Sequence, residues 1–105
     1  MVVSQHKPLL NRKEENKMRK IYSISYDLNT PGQKYDDLYK VIESYDHYKI
    51  MKSHYLVYTD SNVNQIYNKL STCIDKNDRI FVAEVNSNRQ GWLSQAAWDW
   101  IKARS

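Results

Sequence analysis

Ile21 to Leu28 alternates strictly, with Tyr22, Ile24, Tyr26 and Leu28 on one side of an extended chain and Ile21, Ser23, Ser25 and Asp27 on the other. A period of two predicts a strand with one apolar face and one small, polar face. The rhythm changes at "NTPGQ": Asn29 suits a turn, Thr30 a cap, Pro31 a first helical position, and Gln33 follows Thr30 by three residues as in a capping box. A helix is predicted to begin within two or three residues of Pro31 and to end near Asp46, burying Tyr35, Leu38, Val41, Ile42 and Tyr45. "HYKIMKSHYLVYTD" reads as strands over His47–Met51 and His54–Thr59, separated by Lys52 and Ser53 or joined as one bent strand. Asp60 or Ser61 is placed to cap a second helix, in which Val63, Ile66, Tyr67, Leu70 and Ile74 recur at helical spacing. "DKND" closes that helix, Arg79–Val85 is the clearest β run, and Leu93–Ala103 predicts a last helix. Trp92, Leu93, Ala96, Ala97, Trp100 and Ile101 would share one side of it, with the tryptophans packed over the sheet or against another subunit.

The order β-α-β-β-α-β-α predicts an α+β, ferredoxin-like domain: a four-stranded antiparallel sheet with two helices on one face, then a C-terminal helix. Two helices cover one face only. The other, bearing Ser23, Ser25 and Asp27, must be wet, covered by the third helix, or buried in a dimer.

Charge refines this picture along the chain. Of a net charge of +4, residues 1–20 hold six basic and two acidic side chains, while the remaining 85 hold ten of each. The excess lies in "MVVSQHKPLLNRKEENKMRK", where Pro8, sparse apolar residues and the lack of any period predict a flexible basic arm over residues 1–19 ahead of a domain over 20–105. Met18 is an alternative start. Nine tyrosines and three tryptophans against one phenylalanine predict a thin layered fold with tyrosines at its margins. Cys73 is the only cysteine, which excludes an internal disulfide and a thiolate zinc cluster, and its helical spacing reads as core. No apolar run suits a membrane span or a signal peptide, so a cytoplasmic protein without a membrane partner is expected.

Candidate chemistry is sparse. No zinc spacing, phosphate-cradling glycine loop or nucleophile elbow is present. Asp27, at the end of the first strand, is either a turn-former accepting N–H bonds from the Asn29–Gly32 loop or a metal ligand. His54 is either a surface residue or a general acid or base near Ser53, and His47 reads as surface. Asp36, Asp37, Asp75 and Asp78 read as solvated charge. Trp92, Trp98 and Trp100 could stack on bases, but their place in an amphipathic helix favours packing.

The pattern "SISYDLNTPG", a helix, "MKSHYLVYTD", a helix and "DRIFVAEV" resembles the CRISPR-associated adaptation subunit family (Cas-two) and the related VapD toxin ribonucleases. It resembles more closely still a group of small bacterial and phage-borne proteins labelled SinR-like, over about Lys20 to Ser105, most specifically in "SYDLNTPGQKYDDLYKVIESY". The resemblance implies a homodimer formed through the open sheet face. It also implies that Asp27 meets its symmetry mate at the seam to help hold a divalent ion such as Mg²⁺, with Ser53 near the same cleft. Paired carboxylates suit a hard cation that polarises phosphate and activates water. The charge-neutral domain lacks the basic surface that phosphate binding needs. Two classes follow: a non-catalytic dimeric module binding a protein, RNA or DNA in a defence or toxin setting, and a metal-dependent endoribonuclease or endonuclease acting through Asp27 pairs, with Ser53 and His54 beside them.

Overall fold

The computed structural model describes residues 19–105. The predicted arm lies outside the described residues except for Arg19. Strands β1 (Lys20–Asp27), β2 (Asp46–Met51), β3 (His54–Thr59) and β4 (Arg79–Val85) form one sheet in the order β2-β3-β1-β4, every neighbouring pair antiparallel. Helices α1 (Asp36–Glu43), α2 (Val63–Ser71) and α3 (Gln95–Ala103) complete a ferredoxin-like α+β domain. β1 lies in the interior of the sheet, and its alternation decides which residues meet which layer. Tyr22, Ile24 and Tyr26 bury against Leu38 and Ile42 of α1 and Ile66 and Leu70 of α2. The last four are wholly buried, so truncating any one to alanine costs about 2–5 kcal/mol.

The opposite face has its own, smaller core. Ile21 and Leu56 pack with Ile101 of α3, joined by Trp98 and Trp100. Arg104 fastens the end of α3 to β2, its Nε and Nη2 donating to the Asp46 carboxylate at 2.8 and 3.0 Å while its guanidinium lies 4.1 Å from the Trp100 ring centre. The third helix therefore covers the end of the face where β1 begins. Cys73 is half-buried and packs against the main core. Among the described residues no helix is long and apolar enough to cross a membrane.

The first two βα connections differ from expectation for one reason: turn chemistry takes residues that helix-start rules would claim. Thr30 is not a helix cap. Its carbonyl accepts from Gln33 N–H at 3.2 Å across Pro31 and Gly32, and Gly32 has φ +77, the arrangement of a turn with proline second and glycine third. α1 then starts only at Asp36, with Tyr35 at its N-cap. Before α2, the Thr59 hydroxyl accepts from Ser61 N–H, which leaves Asn62 to cap. Asn62 and Gln65 exchange bonds of 2.8 and 2.9 Å in a capping box. Ser94 caps α3, so that helix begins after Trp92 and Leu93.

Asp78 corrects the reading of a solvated turn. It is 5% exposed and accepts four hydrogen bonds. Oδ1 receives Asn29 N–H at 2.8 Å, Tyr35 OH at 2.7 Å and Thr30 OH at 3.3 Å; Oδ2 receives Asp75 N–H at 2.8 Å. Tyr35 in turn accepts from Thr30 N–H at 3.1 Å. The residue that gathers the loop after β1 is thus Asp78, not Asp27. Desolvation pushes its carboxyl up, but the donated bonds outweigh this and hold it at about 2. Because the folded value is depressed, the stabilisation is complete above the ordinary value of 3.8 and is lost as pH falls from there to about 2. Urea unfolding followed by tryptophan fluorescence is expected to show a lower midpoint for Asp78→Asn than for Asp75→Asn. The Asp78→Asn chain should also lose the acid-limb decline between those two pH values.

Candidate functional site

Register fixes the open face as a small lattice. Val85, Ile21 and Tyr58 make one row across β4, β1 and β3, Ala83, Ser23 and Leu56 the next, Phe81, Ser25 and His54 the third, and Arg79 and Asp27 the last. α3 lies over the first rows. The last row and the Phe81 and Ser25 side of the third are left uncovered.

Asp27 stands where the alternation puts it, exposed at the end of β1. Its backbone carbonyl accepts from Asn29 Nδ2 at 3.3 Å, while the Asn29 N–H that the turn-forming alternative gives to Asp27 goes to Asp78. Arg79, opposite in register, donates instead to the Lys76 and Asp78 carbonyls at 3.2 and 3.1 Å. Beside them Phe81 is 67% exposed. Ser25, Asp27, Arg79 and Phe81 share one open hollow.

The donors around Asp27 do not by themselves fit a divalent ion. One carboxylate, one hydroxyl two residues away and a guanidinium opposite fall short of the oxygen set that Mg²⁺ takes. Among the described residues no three carboxylate, imidazole or thiolate groups converge. A second copy would have to complete any such site.

Ser53 and His54 part company. Ser53 is exposed in the two-residue turn between β2 and β3, and its backbone carbonyl accepts from Tyr26 N–H at 3.1 Å. It lines neither the Asp27 hollow nor the cavity beneath α3. His54 sits opposite Ser25 but leans to the diagonal neighbour, and its Nε2 shares a hydrogen bond with Ser23 Oγ. The histidine therefore partners Ser23 rather than Ser53. Burial depresses its pKa below the ordinary 6.5, which keeps the ring neutral at neutral pH. His47 is satisfied locally, through Nδ1 and the Tyr45 carbonyl at 2.8 Å.

The Ser23–His54 pair borders a cavity of about 370 Å³ between the sheet, α3 and the connection over residues 86–94. A scan against protein-family models finds no match, and no curated protein matches the chain. Trp92, expected to pack, is fully exposed at the mouth of this cavity, because Ser94 starts α3 two residues beyond it. Basic charge gathers nearby. Arg19, Lys20, Arg89 and Arg104 line an adjoining hollow, with Lys20 paired to Glu84 at 3.6 Å and Arg104 to Asp46. Ser23 and Arg89 carry no signal that sequence could have raised. Ser23 matters through a register partner 31 residues away, and Arg89 through how a polar connection folds back.

A depressed histidine gives stability that is complete above its unfolded value and lost as pH falls from 6.5 toward the folded one. An NMR titration is expected to place the His54 midpoint below 6.5. The urea midpoint of the protein should drop as pH is lowered through that window, and less so in His54→Gln.

Proposed function

We propose that the protein is a homodimeric, nucleic-acid-binding ferredoxin-like module of a bacterial or mobile-element defence or toxin system, in which the nuclease centre of the adaptation-subunit and VapD type has decayed. The observation that carries this reading is the bare end of the sheet face, where Phe81 is 67% exposed next to Ser25 and Asp27. Burying that ring against a second copy would contribute about 1.5–3 kcal/mol per ring. A second copy applied by a two-fold axis covers both rings at once and brings the two Asp27 residues toward the seam. The basic hollow at the other end of β1 supplies phosphate contacts, and the segment leading into it carries Lys7, Arg12, Lys13 and Lys17. Binding without cutting is favoured because each chain brings one uncommitted carboxylate, the nearby Asp78 being taken up by the loop.

One observation keeps a second reading, a metal-dependent endoribonuclease. The Asp27 carboxylate is not spent on the loop, so in a dimer two free carboxylates would hold the ion.

Light scattering on a sizing column is expected to give a dimer, and Phe81→Asp a monomer; a wild-type monomer would overturn the proposal. Fluorescence anisotropy with single-stranded RNA should show binding that weakens with salt. Arg19→Gln should flatten the slope of log K against log salt by about 0.7, the value for one phosphate contact. With Mg²⁺ or Mn²⁺ the RNA should remain intact. Cleavage that Asp27→Asn abolishes while leaving the dimer would establish the second reading instead.

A further inference from the structure

The second apolar face is not filled from edge to edge. Where α3 and the preceding connection lie over the sheet they enclose about 370 Å³, within the range of small-molecule sites. Leu56, Leu93, Trp98 and Ile101 give it apolar walls. Its polar groups are few and separated, the Ser23–His54 pair on the strand side and Arg89 with Gln90 on the connection. No carboxylate is among these lining residues.

Arg89 is held rather than neutralised. Nη1 donates to the Asn86 carbonyl at 3.0 Å and Nη2 to Ser105 Oγ at 2.9 Å, and neither acceptor carries charge. The same residue borders the hollow lined by Arg19, Lys20 and Arg104, where Lys20 is paired with Glu84 and Arg104 with Asp46, which leaves Arg89 as the cation on this side of the cavity. Trp92 offers a flat, fully exposed ring at the mouth. An apolar cavity with one oriented cation and no acid selects a ligand that brings both hydrocarbon surface and negative charge.

We infer that this cavity binds a small aromatic organic anion, with its rings between the sheet and α3 beneath Trp92 and its acidic group at Arg89. The Ser23–His54 pair meets the inner end of such a ligand as a neutral hydrogen-bonding group. The site lies apart from the Phe81 strip and does not depend on the proposed dimer.

Anilinonaphthalene sulfonate and phenylnaphthylamine, its uncharged counterpart, test the inference by fluorescence titration on the full chain. Saturable binding of the sulfonate is expected, weakened about tenfold by Arg89→Gln with little change for the neutral dye. Val85→Phe, which fills the cavity, should weaken both dyes while leaving the far-ultraviolet circular dichroism unchanged. NMR shifts on binding should centre on the Trp92 and Trp98 indole N–H groups and on Arg89. Equal sulfonate affinity in Arg89→Gln, or shifts centred on Phe81, would overturn it. So would two results that name another occupant. Tighter dye binding in a Leu9→Asp, Leu10→Asp chain would assign the cavity to the N-terminal segment, and binding only by the Phe81→Asp chain would assign it to a second copy.

Discussion

β1 has a strand hydrogen-bonded along each edge and apolar groups packed on each face, so none of its interior side chains is free to choose a direction. That constraint organises the molecule. Tyr22, Ile24 and Tyr26 commit one face to α1 and α2. Ile21, Ser23, Ser25 and Asp27 are thereby committed to the other, in a gradient from apolar to charged along about 20 Å of strand. α3 settles where Ile21 gives it something to bury, roofs the cavity that Ser23 lines and stops short of Ser25. The ligand-sized cavity, the bare Phe81 strip and the isolated carboxylate are successive steps along that gradient.

Two aspartates near the ends of adjoining strands divide what one might have done. Asp78 precedes β4 and is consumed by structure, accepting four bonds that tie the loop after β1 to the turn before β4. A carboxylate so fully hydrogen-bonded resists protonation and has little left to offer a ligand. Asp27, at the end of the neighbouring strand, is relieved of that duty and stands exposed.

Much of this was legible in the chain. The strand periods, the element order and the β4 bounds could be read because period two and period 3.6 leave different marks on eight or nine residues. Helix starts were not, since "NTPGQ" satisfies turn and helix rules equally and only the positive φ at Gly32 separates them. The site was half legible. Asp27 and His54 were visible as types in a pattern. The partnering of His54 with Ser23 required the register of β1 against β3, and the burial of Asp78 required knowing that two distant turns meet. Trp92 shows the same limit from the other side, because its helical spacing continued a stripe that the Ser94 cap cuts off.

The placement of α3 also bears on how the domain assembles. β1 pairs with β4 across as many as 64 residues, from Ile21 to Val85, and α3 follows β4 in the chain. The element that seals the second apolar face is thus the last of the seven to become available during synthesis. Until then Ile21, Leu56 and Val85 have no cover on that side, and pairings this distant in sequence form slowly. The half-assembled sheet presents more apolar surface than the finished one, and the Arg104–Asp46 pair that fastens α3 to β2 acts as the closing latch on a face left open through most of folding.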